Sequence, residues 1–181
     1  MPIETIIALI GALGVGGLLG NILTRRYEQQ KQTNEHDIKI FKQSNEILTE
    51  QKLSDIANFH LFGDHSIVGD DFLLLTRWSV FFGEIGNQYL DKKINKQNQK
   101  LLNDLNQLTE FIATNFFTII GQNPNNKSQY LKPDWNLDRG NPSPEQVARY
   151  HEYAKELKDL TRKTINQYAE YRLAIKRILK I

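Results

Sequence analysis

Two short runs carry residue types from which chemistry is made. The first, H-L-F-G-D-H at residues 60–65, brings His60, Asp64 and His65 together, with Asp70 and Asp71 a few residues on. Such a set could ligate a divalent metal. Its spacing, however, crosses a helix end marked by Gly63 and Gly69, so the side chains would not share a face. Capping and turn chemistry accounts for the same residues. The second run, H-E-Y-A-K at residues 151–155, opens like a zinc-protease helix but has Lys155 where the second histidine belongs. No phosphate-cradling glycine loop, nucleophile elbow or pair of carboxylates at catalytic spacing occurs. The chain has no cysteine, which excludes disulfides, thiol catalysis and cysteine-ligated metals. We therefore expect no enzyme, no catalytic or metal-ligating residue and no cofactor.

A binding signal lies at the carboxy-terminal end. Arg162, Lys163, Arg172, Lys176, Arg177 and Lys180 fall within the last 20 residues against a single acid, Glu170, with Tyr168 and Tyr171 interleaved. Basic and aromatic groups together could seat a nucleotide, a single-stranded oligonucleotide or anionic lipid headgroups. The alternative is that the cations offset the dipole of a helix end while both tyrosines point into a core. The net charge of +2 is too small to argue for duplex DNA.

The elements that must position these groups are read from periodicity. Residues 5–23 carry no formal charge, and with Ile3 and Glu4 they would make a helix about 31 Å long at about 1.5 Å per residue. That length suits a membrane span (residues 1–24). Arg25 and Arg26 follow it, and since basic residues stay on the cytoplasmic side, they set an N-out/C-in topology in a bacterial inner membrane. Ala8, Ala12, Gly16 and Gly20 form a row of small residues beside Gly11, along which another helix could approach closely, so a homo-oligomer is expected. Glu4 shares a stripe with Ala8 and Gly11 and would collar a pore mouth in a ring of such helices; equally, it suits a hydrated first helical turn.

Beyond the arginines a polar stalk (residues 25–37) leads into a cytosolic helical bundle (residues 38–181). Ile38, Phe41, Leu48, Ile56 and Phe59 mark a buried face with a slip of register after Leu48. Phe72, Leu75, Trp78, Phe82, Ile85 and Tyr89 predict a helix from residue 70 to about 94, and Leu101, Leu105, Leu108, Ile112 and Ile119 another over 96–120. A loop over 122–143, rich in Pro, Asn and Asp, should fold back through Tyr130, Leu131 and Trp135. Ser143, Pro144 and Gln146 then compose a capping box for a last helix that keeps a 3-4 alternation from Val147 to Ile178. With no period-two alternation, the fold class expected is all-α: an amino-terminal transmembrane helix and an antiparallel bundle of about four long helices.

In this layout the chain resembles the small single-span membrane effectors of bacterial antiphage and abortive-infection systems, in which a membrane segment sits beside a cytosolic sensing domain. The resemblance implies an oligomeric pore-forming or membrane-perturbing effector controlled by its helical domain. The alternative is a membrane-tethered scaffold or adaptor that binds a partner protein.

Overall fold

The structure, a computed structural model, describes residues 3–119 and 128–181, and of residues 3–20 the backbone alone. Helix α1 (Ile3–Ile47) is continuous and 45 residues long. It stops where the hydrophobic register slips: Thr49 turns extended and its hydroxyl accepts the Lys52 N–H at 3.1 Å, starting α2 (Glu50–Asp55). The chain then widens into a π-helical segment, Ile56–Asp64, closed by His65 in the left-handed conformation (φ 46°, ψ 46°). After β1 (Ser66–Val68) comes α3 (Gly69–Gly83). Gly83 and Gly86 lie three residues apart, and their low helix propensity ends α3 well before residue 94. Ile85 is consequently exposed, whereas Tyr89 returns to the core through an irregular turn. Asp91 caps α4 (Lys92–Asn115), accepting from the N–H groups of Lys93 and Ile94.

Two expectations are corrected here. The fold is mostly helical but not all-α: β2 (Phe116–Phe117) and β3 (Ser128–Leu131) join β1 in an antiparallel sheet of order β1-β3-β2, with Ser66 opposite Tyr130 and Phe116 opposite Leu131. These strands are two to four residues long, too short to show alternation, and β3 draws on a segment whose composition reads as loop. Second, among the described residues no helix is long and apolar enough to cross a membrane. The transmembrane helix and the single-pass, N-out/C-in inner-membrane placement are therefore not supported. Of the apolar run only Asn21, Ile22 and Leu23 have described side chains. From there α1 carries Arg25, Arg26, Glu28 and Lys31, all exposed, so the described side chains add no apolar stretch. The packing row Ala8, Gly11, Ala12, Gly16 and Gly20, and Glu4 with it, lies outside the described side chains.

Helix α5 (Pro144–Leu179) begins with the expected capping box: the Gln146 N–H donates to Ser143 Oγ at 3.3 Å and the Ser143 N–H to Gln146 Oε1 at 2.8 Å. Its inward stripe of Leu157, Thr161, Thr164 and Tyr168 packs on Leu101, Leu105 and Leu108 of α4. At the far end Trp78 stands edge-on to Phe82 (centroids 4.8 Å apart) and to Tyr171 (6.0 Å). Among the described side chains, helix α1 joins this body through its last turns. There the fully buried Asp37 carboxylate accepts the N–H groups of Leu90 (2.8 Å) and Asp91 (2.9 Å), and a His36 ring nitrogen lies 3.0 Å from the Gln88 carbonyl oxygen. Upstream, residues 21–32 are exposed throughout.

Candidate functional site

The π-helical segment, the turn after β3 and the head of α5 converge on one hydroxyl. Tyr150 lies two turns into α5, and its Oη is 2.9 Å from His65 Nδ1 and accepts from Asn136 Nδ2 at 3.0 Å. Asn136 donates one bond to the phenol oxygen, and the phenol proton completes the set by donating to His65 Nδ1 when the imidazole is neutral and carries its proton on Nε2. Burial lowers the pKa of His65, its neighbours Lys158, Arg139 and His151 lower it further, and Asp64 opposes them. Burial likewise raises the Tyr150 phenol above its ordinary value. Both shifts favour this neutral pair.

Each member is held by its own local structure. His65 is a non-glycine residue at positive φ, a conformation that costs of order 1–2 kcal/mol. Its carbonyl oxygen accepts the Leu131 N–H at 2.9 Å, and its N–H donates to the His60 carbonyl, so the strain is held between two elements. Asn136 organises the turn it sits in: its Oδ1 accepts the Asp138 N–H at 2.9 Å, and its carbonyl accepts those of Arg139 and Gly140. Position 140 must be glycine, because a Cβ there would stand 2.7 Å from the Asp134 carbonyl oxygen. Arg139 lies over the Tyr130 ring at 4.2 Å, with both terminal nitrogens 3.5 Å from the Asp64 carbonyl oxygen.

These groups enclose an open cleft of about 380 Å³, lined also by Trp135, Val147 and His151. Its size falls in the range of small-molecule sites, about 300–1,000 Å³. The lining holds hydrogen-bond donors, one cation, Arg139, and two carboxylates, Asp64 and Asp138, and no serine, threonine or cysteine that could serve as nucleophile. The arrangement suits binding.

The residues singled out from the sequence are not brought together in this way. His60 and His65 part company: His60 faces Asp71 at 3.7 Å, and Asp71 is paired with Lys52 at 2.7 Å, while His65 belongs to the cleft. Among the described residues no group of three or more His, Asp or Glu side chains could hold a metal ion. Of the carboxy-terminal set, Tyr168 and Tyr171 are buried, and the hydroxyl of Tyr171 is bonded to that of Tyr89. Arg172 is spent on Glu50 (3.3 Å), Asn45 and the Phe41 ring (4.7 Å), and Lys163 on Asp104 (2.9 Å). Arg162 pairs with Asp159, and Lys176, Arg177 and Lys180 are exposed around the last turn of α5. The aromatic half of that candidate is thus core. Tyr150, which at sequence level is another core position of α5, is the residue that periodicity hid. The Asn136, Asp138, Arg139 and Gly140 cluster was the available signal, as a side-chain-organised turn directly before a capped helix.

No family model, no curated protein and no solved structure matches this chain.

Proposed function

We propose that the protein is a non-catalytic recognition module that takes a small anionic ligand, bearing a carboxylate or phosphate, in the cleft at the head of α5. The supporting observation is the convergence of three sequence-distant residues, His65, Asn136 and Tyr150, on one hydroxyl in a cleft with Arg139 at its mouth. Arg139 supplies the positive charge of the cleft, beside the carboxylates of Asp64 and Asp138 that also line it, and a neutral imidazole offers its Nε2–H as a donor. An anion gains from both. The test is an NMR titration of the histidine ring resonances with inorganic phosphate and with succinate. At least one of the two anions should shift His65 saturably, and Arg139→Gln should weaken that binding about tenfold, the loss of one charge-assisted contact. Shifts that stay linear in concentration, or an unchanged Arg139→Gln variant, would overturn the reading.

A second reading is favoured by α1. A helix whose residues 21–32 have no tertiary cover, and which exposes Ile22, Leu23 and Tyr27, is a natural arm for a protein partner. The partner proposed is a second copy of the chain. Light scattering should then give a multiple of 21.0 kDa, reduced to one subunit by Leu23→Asp with Tyr27→Asp; a monomeric parent protein would remove the adaptor role. A pore-forming role needs a membrane-crossing segment, which the described residues do not supply.

A further inference from the structure

Next to the cleft, on the other side of Trp135, the ammonium of Lys132 is surrounded by aromatic rings. Its Nζ lies 5.0 Å from the centroid of Phe117, 5.4 Å from Tyr153 and 5.5 Å from Trp135. The rings come from three places, strand β2, the turn after β3 and the third turn of α5, so tertiary structure alone assembles them. Trp135 and Tyr153 brace each other at 63° and 5.9 Å, and Phe111 backs Tyr153 at 6.2 Å. Phe117 is 46% exposed, which leaves the enclosure open to solvent on one side.

Three π faces around one cation are the arrangement that recognises alkylated ammonium groups, because such cations are weakly hydrated and need no hydrogen-bond acceptor. A primary ammonium suits it less well, since its three N–H donors lose water to rings that accept poorly. Lys132 is held there at a backbone cost: it has φ 34° and ψ 63°, a region that L residues with side chains rarely adopt. Its backbone N–H donates to the Asn115 carbonyl at 3.0 Å, which fixes the base of the side chain beside the cage. The chain thus shows that the enclosure accepts a cation while filling it with a second-best one.

We propose that Phe117, Trp135 and Tyr153 form a binding site for a small quaternary ammonium compound of the choline type, with Lys132 as its built-in competitor. The site borders the anion cleft, since Trp135 lines both, while Phe117 and Tyr153 belong to the cage alone.

The positive φ makes Lys132→Gly the safest variant, since glycine occupies this backbone region without strain and leaves the cage empty. Choline is titrated into the wild-type protein, Lys132→Gly and Lys132→Arg, following Trp135 through its indole N–H resonance. Sodium chloride serves as ionic-strength control and 3,3-dimethylbutan-1-ol as the neutral isostere. We expect Lys132→Gly to bind choline at least about tenfold tighter than wild type, Lys132→Arg to stay blocked, and the neutral alcohol to bind about tenfold more weakly than choline. Trp135→Phe in the Lys132→Gly background, read by thermal shift, should weaken choline binding. Equal affinity for choline and the alcohol would overturn the proposal, as would a Lys132→Gly variant that binds choline no better than wild type.

Discussion

Replacing Tyr150 by phenylalanine deletes one oxygen and two hydrogen bonds while keeping the ring that fills the head of α5. A hydrogen bond contributes about 0.5–1.5 kcal/mol net, and a buried group left without a partner costs about 1–3 kcal/mol. The groups orphaned here, His65 Nδ1 and Asn136 Nδ2, are half-buried at the wall of an open cleft, so water can replace part of the loss. The expected destabilisation is therefore about 1–2 kcal/mol, which for a chain of this size lowers Tm by roughly 2–8 °C. Urea unfolding of wild type, Tyr150→Phe, Asn136→Ala and the double variant closes a cycle in which the turn-forming bond from the Asp138 N–H to Asn136 Oδ1 cancels. Coupling of about 0.5–1 kcal/mol should remain. If Tyr150→Phe unfolds within about 0.3 kcal/mol of wild type, or if the two substitutions are additive, the hydroxyl does not join these segments, and the site built on it fails.

Two further outcomes follow from named contacts. Asp37→Ala removes both acceptors that hold the loop before α4 to α1, and at about 1.5–3 kcal/mol for each hydrogen bond to a charged group, tempered by solvent reaching the loop, the loss should be about 2–4 kcal/mol. Amide exchange at Leu90 and Asp91 should quicken; unchanged exchange there would show that the carboxylate is not their acceptor. As for pH, His65 has a folded pKa below its unfolded value of 6.5, so the unfolded chain takes up the proton first on acidification. Its contribution is complete above about pH 6.5 and is lost as pH falls through 6.5 toward the folded value, with a slope of at most about 1.4 kcal/mol per pH unit. Urea midpoints from pH 8 to pH 5 should show this fall in wild type and a shallower one in His65→Asn. A midpoint that rises on acidification would contradict the neutral His65–Tyr150 pair.

Local rules sufficed where a signal is complete within a few residues. The Ser143, Pro144 and Gln146 box marks the start of α5 because each partner lies within one turn, and the slip after Leu48 marks the end of α1 because a helix cannot keep one buried face across it. Leu101, Leu105, Leu108, Leu157 and Ile175 could be assigned to the core for the same reason: burial on a helix repeats at a fixed period. Phe59 and Ile85 were misplaced where that period is itself altered, by π-helical winding in one case and by the glycine-broken end of α3 in the other. The strands escaped notice because two to four residues hold no period at all.

The cleft and the cage belong to the other category. Tyr150 has the spacing of a core residue, and no local rule says that its ring is covered while its hydroxyl reaches His65 across 85 residues of chain. Phe117, Lys132, Trp135 and Tyr153 are scattered over 37 residues, and only the return of β3 along β2 and the docking of α5 on α4 close the rings around one ammonium. Patterning decides which residues leave water, since that depends on each side chain and its near neighbours. Which polar groups then meet depends on how the elements cross, and that is settled only by packing the whole body.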